Sequence, residues 1–506
     1  MREFVDESIE PVEFKSTWKR ERSLASNESQ TKEISLQDAA TQSFKTFNQE
    51  VQSDFKDDRY SLHTVNLDHQ KLAAFLQKVE PMVMRYLGKN LKSRAFDDVS
   101  DLSEKTLDTV TCVHTLNSND LNLQFQVTGL SWNSTGSTLA ASYPLEIENI
   151  KLNKFKENYW CTHKAAICTW NLDRRSVKED KPDTFIDSSC CLMSLEFHPA
   201  NPAWLAGGNF NGEVILWDLS QEDDLVLATS GIGDESHREP VSKVYWITDQ
   251  SPKMKNYNIV SVSGDGKILI WSIDLKKGKL RQLKSFLLMS KDLPRSMKVR
   301  GVRSDKEVGV TCISFSHEDP DLFVLGSESG CLFKCSLHSN ESHKKSSDQA
   351  YSPVTFTFNP HHGPVHSVDC SKFHRHAFLS SGMDQSLRLY NMLQAPPVLI
   401  IEPGEGYIYS AKWSPTRPAI FAAVSEKGNL LIYDLHSGNM TPMHKLEASP
   451  NKVPVYSLQF NSQQKRILAT GDGQGYIRVY RLPEKLTSLI VQDNEVLEEI
   501  MNTGSD

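Results

Sequence analysis

The sequence predicts an all-β fold in which one short unit of antiparallel strands recurs around a common axis. Each copy contains three apolar runs of alternating pattern, separated by turn residues, and its last run ends on an aromatic residue or, once, a cysteine. Alternation with a period of two is typical of half-buried strands. The chain has 506 residues, of which 39% are hydrophobic and 24% are charged. This composition supplies a large core and excludes a wholly disordered chain.

Seven copies of the unit follow one another along the chain. The clearest copy starts at Cys191 with CLMSLEFHP and continues through WLAGGNFNGEVILWDL to Leu219. The final runs of the seven copies end on Trp170, Trp217, Trp271, Cys335, Tyr390, Tyr433 and Tyr480. These positions recur close to the period of about 40–45 residues of WD repeats, with loop insertions. A four-stranded blade cannot cover both of its faces alone, so we expect a seven-bladed WD-repeat β-propeller over residues 127–482.

The chain before the first blade contains one further strand. The run TVTCVHTL, which starts at Thr109, has no blade of its own. We expect it to be the fourth strand of the last blade, because this pairing closes the ring without a free edge. Within the blades, Asn211-Gly212 and Asp265-Gly266 are expected in tight turns that require a positive φ.

Four flanking regions differ in pattern from the blades. Residues 1–66 are polar without sustained periodicity, which predicts a disordered segment. Residues 67–92 carry apolar residues with i, i+3, i+4, i+7 spacing, which predicts an amphipathic helix. Residues 93–126 are a linker with the ring-closing strand. Residues 483–506 are an acidic tail with a weak helical pattern, to which no function is assigned.

The amphipathic helix is expected to begin after Asp68, a suitable N-cap, and to end at Gly88. Pro81 is expected to kink it, because proline removes one backbone hydrogen bond. The apolar stripe either packs against the propeller or docks on a partner, and the polar segment before it favours docking. The stripe consists of Leu72, Phe75, Leu76, Val79, Met82, Val83, Tyr86 and Leu87.

The polar segment contains three short triplets centred on glutamine. These are Ser29-Gln30-Thr31, Thr41-Gln42-Ser43 and Val51-Gln52-Ser53, each with neighbours that favour a strand. Such triplets are often background composition. A linear motif of this size is also long enough to add as a strand to the sheet edge of a partner.

Composition narrows the class of protein further. There are 64 acidic and 56 basic side chains, a net charge of −8, so no nucleic-acid partner is expected. No apolar window reaches about 18 residues, so no membrane insertion is expected. The first residues lack the apolar core of a secretory signal. Nine cysteines without a C-x-x-C pair indicate reduced thiols in an intracellular protein.

The sequence contains no residue pattern that assigns a catalytic, cofactor or metal site. A phosphate-binding G-x-x-x-x-G-K-[ST] loop is absent, and GDGKIL at Gly264 is expected to be a turn between strands. One histidine-rich run allows a zinc site, since alternation places His366 and Cys370 on one strand face. Structural hydrogen bonding is favoured for this run, which contains His361, His362, His366, Cys370, His374 and His376. Cys190, Cys191, Cys331 and Cys335 are expected to be buried apolar residues.

The chain resembles the dynein intermediate chains, and among them those of cytoplasmic dynein-2, the motor of retrograde intraflagellar transport. The resemblance covers about residues 66–482 and is weak before them. The segments that carry it are LAAFLQKVEPMVMRYLGKN, SWNSTGS, WNLDRR, FHPANPAWLAGG, NGEVILWDLS, YNMLQAPP, WSPTRPAIFAA and PVYSLQFNSQQ.

The resemblance implies a non-catalytic subunit without cofactors, whose propeller clamps the tail of the dynein-2 heavy chain. It implies hub-type light chains at Ser29-Gln30-Thr31, which keeps the family's central Gln and final Thr. The triplets Val51-Gln52-Ser53 and Thr41-Gln42-Ser43 depart from that motif at the last position. It further implies a roadblock-type light chain on the helix at Leu72, Phe75, Leu76, Val79 and Val83.

The resemblance also implies a location and an assembly. The implied assembly is a heterodimer with a second, different intermediate chain, carried on intraflagellar transport trains. The implied locations are the cytoplasm, the cilium with its base and axoneme, and the centrosome region.

Three alternatives remain open. One is a ubiquitin-ligase substrate receptor, although Asp173 stands where that family's W-D-x-R box has Arg. Another is an intermediate chain of a different dynein, of the cytoplasmic cargo or axonemal type. An enzyme is the third, because a fold alone does not exclude activity.

Overall fold

The computed structural model describes ten stretches of the chain. They are residues 69–92, 109–118, 126–144, 165–221, 224–249, 256–298, 303–338, 351–438, 440–490 and 492–503. The three glutamine-centred triplets, Asp68 and the predicted disorder of residues 1–66 lie outside them. The chain divides into two compact units, Met1–Val79 and Glu80–Asp506. Within the described stretches, no helix is long and apolar enough to cross a membrane.

The predicted amphipathic helix is present as α1, His69–Lys92, and it runs through Pro81. The prediction that Gly88 ends it is wrong, because the helix continues for four more residues. A single glycine costs a helix only about 1 kcal/mol. It ends the helix only where the following backbone turns into a cap.

Twenty-eight described strands form seven four-stranded blades. The strand before the first blade is Thr111–Leu116 (β1). Blades 1 and 2 contain Gly129–Trp132 (β2), Thr138–Pro144 (β3), Ala165–Asn171 (β4), Thr184–Ser188 (β5), Leu192–Phe197 (β6), Trp204–Asn209 (β7), Val214–Asp218 (β8) and Val226–Thr229 (β9). Blades 3 and 4 contain Val241–Thr248 (β10), Tyr257–Ser263 (β11), Lys267–Asp274 (β12), Lys279–Leu287 (β13), Val310–Phe315 (β14), Leu322–Ser327 (β15), Leu332–Ser336 (β16) and Val354–Thr357 (β17).

The remaining blades follow the same order along the chain. Blades 5 to 7 contain Val365–Cys370 (β18), Ala377–Gly382 (β19), Leu387–Asn391 (β20), Pro397–Ile401 (β21), Ile408–Trp413 (β22), Ile420–Ser425 (β23), Asn429–Asp434 (β24), His444–Glu447 (β25), Val455–Phe460 (β26), Ile467–Asp472 (β27) and Ile477–Arg481 (β28). Short 3-10 turns occur at Ser290–Asp292, Arg295–Met297, Leu435–Ser437 and Glu484–Leu486, and a second α-helix, α2, spans Gln492–Thr503.

The blades close into a ring. The first strands of neighbouring blades are in contact in the order β2, β6, β10, β14, β18, β22 and β26, and β26 contacts β2 again. The prediction of a seven-bladed β-propeller is therefore confirmed. Blades 2 and 3 are additionally joined by one parallel pair between Lys279 of β13 and Thr229 of β9, so they form one eight-stranded sheet.

The ring is closed by the strand that precedes it. β1 pairs antiparallel with β28, from Thr111 opposite Arg481 to Leu116 opposite Ile477, as expected for the fourth strand of blade 7. Leu116 is completely buried among residues of blades 1 and 7. Val113 lies at a register shift in β1 and stays exposed.

The residues that end the third apolar run of each copy form the core between blades. All seven lie in third strands and are 0–4% exposed. Tyr390 stacks on Phe378 at 5.1 Å between ring centroids, and Tyr433 stacks on Phe421 at 5.0 Å. The turn glycines Gly212 and Gly266 have φ values of 87° and 74°, as the turn sequences predict.

Candidate partner-binding surfaces

The apolar stripe of α1 is exposed. Its residues Leu72, Phe75, Leu76, Met82, Val83 and Tyr86 are 41–60% exposed, and Val79 is half-buried. Because they recur every three or four positions, they share one face of the helix. A contiguous exposed apolar face is typical of a protein interaction site. The helix therefore is the first candidate surface.

Blade 3 contains a buried chain of hydrogen bonds that fixes its turns. The Trp271 indole N–H donates to Ser261 Oγ at 2.8 Å, and Ser261 Oγ lies 2.7 Å from His237 Nε2. His237 Nδ1 lies 3.3 Å from Asp265 Oδ1, a geometry in which the ring nitrogen donates to the carboxylate. Burial alone would raise the pKa of Asp265. The hydrogen bonds that its carboxylate accepts from His237 and from two backbone N–H groups have the larger effect, so the pKa lies below its usual value.

Blade 5 has a related arrangement built from the histidine-rich run. His361 Nδ1 donates to Asp384 at 2.9 Å, and His361 Nε2 lies 2.7 Å from Ser380 Oγ. Arg388 also donates to Asp384 at 2.7 Å. His361 therefore has the structural hydrogen-bonding role that was favoured for it. Burial lowers the pKa of His361, which keeps the ring neutral.

The prediction that His366 and Cys370 lie on one strand face is wrong. The register of β18 against β19 shifts between Val365 and Ser367, so His366 lies at a bulge. Its ring packs on Tyr409 of β22, with 5.2 Å between centroids. Cys370 Sγ contacts the Ser314 carbonyl of β14, in the blade on the other side. A bulge reverses the alternation on which the prediction depended. No three metal-ligating side chains converge anywhere in the part of the chain that is described.

Asp384 gives a pH-dependent prediction. Burial raises its pKa, but His361, Ser386 and Arg388 together hold that pKa well below its usual value. The stability it contributes is present above the usual carboxyl pKa and is lost as pH falls towards the folded-state value. Asp384→Asn is expected to cost about 1.5–3 kcal/mol of unfolding free energy near pH 7.

This difference from the wild-type protein is expected to shrink below about pH 4, where the Asp384 carboxyl of the unfolded chain starts to take up a proton while that of the folded protein is still ionised. Urea denaturation of both proteins across this pH range measures it. A stability difference that stayed constant from pH 7 to pH 3 would contradict the role assigned to the ionised carboxylate.

A cavity of about 270 Å³ lies where the first strands end. The Lys412 amine donates to Asp369 at 2.8 Å, and the backbone N–H of Trp413 donates to the same carboxylate at 2.9 Å. Burial raises the pKa of Glu196 and lowers that of Lys243, and the attraction between the two side chains opposes both shifts. The ion pair of Lys412 with Asp369 lines the cavity together with Glu196 and Lys243, and all four side chains are polar structural groups. We assign them no reaction.

The C-terminal helix α2 is held on the propeller by a buried ion pair. Arg417 Nε and a terminal nitrogen donate to the two oxygens of Asp493 at 2.6 and 2.8 Å. Arg417 also donates to the Lys485 carbonyl at 2.7 Å. Both charged side chains are at most 3% exposed, and Leu497 and Met501 are buried in the core of blades 5 and 6. Within the segment that looks like an acidic tail in the sequence, residues 492–503 thus form a packed helix.

The fold and two sequence matches define the class of protein. Residues 163–270 match a family described as the dynein axonemal intermediate chain 3 WD40 domain, and residues 352–391 match the WD domain, G-beta repeat. Together with the ring of seven blades, these matches define a WD-repeat protein of the dynein intermediate chain type.

Two relatives identify the family. The human protein named cytoplasmic dynein 2 intermediate chain 2 is 39% identical over 436 residues, which cover 85% of this chain and 79% of the relative. The mouse protein of the same name is 37% identical over 503 residues, 98% of this chain and 92% of the relative. The chain belongs to the cytoplasmic dynein 2 intermediate chain 2 family.

A third relative separates this family from other dyneins. The cytoplasmic dynein 1 intermediate chain of Drosophila melanogaster is 24% identical and covers 64% of this chain and 44% of the relative. Both identity and coverage are lower than for the dynein 2 relatives. The comparison favours dynein 2 over the alternative of another dynein.

Proposed function

We propose that this protein is a non-catalytic intermediate chain of the cytoplasmic dynein-2 motor and scaffolds its heavy chain and light chains for retrograde intraflagellar transport. The observation that carries the proposal is the identity of 37–39%, over most of the chain, to relatives named dynein 2 intermediate chain 2. The closed propeller supports a scaffold role, because its seven packed blades form one continuous ring that presents a large surface to partners. Motor activity then belongs to the heavy chain.

In this proposal α1 binds the roadblock-type light chain. The six residues of its stripe with 41–60% exposure supply the contact, in the mode of an amphipathic helix in an apolar groove. Burial of such side chains contributes about 25 cal/mol per Å² of apolar area. Pro81 lies inside the helix and faces away from the stripe by its spacing, so it leaves the contact face intact.

The segment before α1 binds hub-type light chains. Ser29-Gln30-Thr31 is the strongest of the three triplets for this role, and Val51-Gln52-Ser53 is the second. Light chains that are dimers join this chain to a second, different intermediate chain. Tethering raises the effective concentration of each further contact, so weak strand contacts give a stable heterodimer. The two propellers then hold two copies of the heavy chain.

Membership in this assembly determines the location of the protein in the cell. As a subunit of the motor that returns intraflagellar transport trains to the cell body, it is found in the cytoplasm, at the ciliary base and along the axoneme, and near the centrosome. Loss of the chain is therefore expected to impair cilium assembly.

The double substitution Leu76→Asp and Val79→Asp tests the role of α1. Two carboxylates in the centre of the apolar stripe would have to be desolvated against the light chain, which costs several kcal/mol. We expect loss of the roadblock-type light chain from the complex, at least about a hundredfold in affinity, with the propeller still folded. Co-precipitation of the tagged full chain from ciliated cells measures it.

The matched control is Ala74→Asp with Gln77→Asp, which adds the same charge on the opposite face of the helix. This control is expected to retain the light chain. The stripe variant is expected to retain the heavy chain and the hub-type light chains. Retention of the roadblock-type light chain by the stripe variant would remove the assignment of α1. Absence of a dynein-2 heavy chain from every sample would overturn the proposed function itself.

A further inference from the structure

One segment of the propeller has a charge opposite to that of the rest of the chain. Residues 274–298, here called the blade 3 basic segment, contain eight Lys and Arg but two Asp and Glu, a net charge of +6. The whole chain has a net charge of −8, so the remainder carries −14. The segment comprises the turn after β12, the whole of β13 and the two 3-10 turns that follow. The overall acidic balance of the sequence conceals it.

The basic side chains of the segment face solvent. Seven of the eight are exposed, namely Lys276, Lys277, Lys279, Arg281, Lys284, Arg295 and Lys298. Within the described part of the chain, none of the eight forms an ion pair with an acidic side chain. Two of them donate to backbone carbonyls instead, Lys284 to Leu337 at 3.5 Å and Lys298 to Lys291 at 2.7 Å. The positive charge is therefore available to an external partner.

Among the described residues, the segment also has an open strand edge. β13 is a nine-residue strand whose inner side pairs with β12. On its outer side, described neighbours contact only its two ends, Thr229 at Lys279 and Tyr351 at Phe286. Residues 280–285 between these ends have no second strand among the described residues. Leu283, at a register shift against β12, is exposed at 51%.

Lysines on an edge strand have a simpler role, since they prevent pairing between copies of one protein. That role explains Lys279 and Lys284 but not the whole segment. Lys276 and Lys277 lie in the turn before β13, and Arg295 and Lys298 lie beyond it, where no strand edge needs protection. The extension of the charge beyond the strand indicates a binding surface.

The surroundings of the segment select the class of partner. Charges in physiological salt are screened over about 8 Å. A membrane surface or a nucleic-acid duplex extends much further than this and would also face other surface of a chain whose remaining residues sum to a net charge of −14. A short acidic peptide meets only the basic side chains. An extended peptide is also the partner whose backbone can hydrogen-bond to a strand edge.

We propose that the blade 3 basic segment binds an acidic polypeptide of a partner, which adds in extended form to the outer edge of β13. Its acidic side chains pair with Lys277, Lys279 and Arg281, and its apolar side chains contact Leu283. This proposal does not depend on the dynein assignment.

The test uses the full-length chain and a short fluorescent peptide of alternating Glu and Val. Fluorescence anisotropy at low and at physiological salt measures binding. The variant Lys277→Glu, Lys279→Glu and Arg281→Glu is expected to bind at least about tenfold more weakly, because three exposed ion pairs become repulsive. The control variant Arg175→Glu, Lys178→Glu and Lys465→Glu alters three exposed basic residues of blades 1 and 7 and changes the net charge equally. It is expected to bind within about twofold of wild type.

A second peptide, N-methylated at alternate residues, keeps the charge but lacks half of the backbone donors. It is expected to bind at least about fivefold more weakly than the parent peptide, since strand pairing requires those donors. Equal losses in both charge variants would overturn the proposal in favour of an effect of net charge. Equal binding of both peptides would overturn the strand-edge contact. Anionic vesicles or duplex DNA that displaced the peptide would assign the segment to a polyanionic surface instead.

Discussion

Asp493→Ala is expected to lower the unfolding free energy by about 3–5 kcal/mol and to release α2 from the propeller. The substitution removes the buried carboxylate that accepts two hydrogen bonds from the Arg417 guanidinium, and breaking a buried ion pair has this cost. Arg417 is 3% exposed, and its remaining acidic partner among the described residues is Asp434, at the longer distance of 3.6 Å. Denaturation in guanidinium chloride measures the stability, and limited proteolysis reports whether residues 492–503 have become accessible.

The control for this prediction lies on the same helix. Glu499 is exposed, so Glu499→Ala is expected to change stability by less than about 0.5 kcal/mol. The double substitution Arg417→Met with Asp493→Leu removes both charges and is expected to recover most of the stability. A double variant as unstable as Asp493→Ala would show that the helix is held by something other than this ion pair.

Leu116→Asp is expected to unfold the ring rather than to weaken it locally. Leu116 is completely buried and belongs to the strand that completes blade 7. An unpaired carboxylate at that position costs several kcal/mol, in addition to the 2–5 kcal/mol lost with the leucine side chain. This sum is comparable to the whole stability of a typical domain. Circular dichroism and size-exclusion chromatography measure the loss of the folded state.

Val113→Asp is the matched control, because it places the same charge on the same strand. Val113 is 44% exposed and lies at the register shift of β1, so its side chain has little packing to lose. We expect a folded protein with a change of less than about 1 kcal/mol. A folded Leu116→Asp protein would mean that the ring closes without β1.

The sequence predicted the propeller because its signals are local and repeated. Seven similar units each contain alternating strands. Six of them end on an aromatic residue such as Trp217 or Tyr433 and one ends on Cys335, and the structure buries all seven of these residues. The closing role of β1 was predictable as well, since one strand stood without a blade. The apolar stripe of α1 follows from spacing alone, and its light-chain contacts stay a prediction.

The features that were missed depend on contacts between residues far apart or on small irregularities. Arg417 and Asp493 are 76 positions apart, so no local pattern connects them. A single bulge at His366 reversed the predicted face of β18. The blade 3 basic segment was hidden because net charge averages over the chain. The triplets in residues 1–66 lie outside the described residues and remain sequence predictions.

The pairing of β1 with β28 has a consequence for biosynthesis. The two strands lie at opposite ends of the ring-forming region, Thr111 opposite Arg481. At about 5–20 residues per second, a ribosome needs on the order of 20–70 s to make the chain between them. During that time β1 has no partner strand, because β28 has not yet been made. Neighbouring ribosomes on the same mRNA produce further copies of β1 in the same period. The ring can close only after β28 has been made, and a β1 that paired with the β28 of another copy instead would give an exchanged dimer.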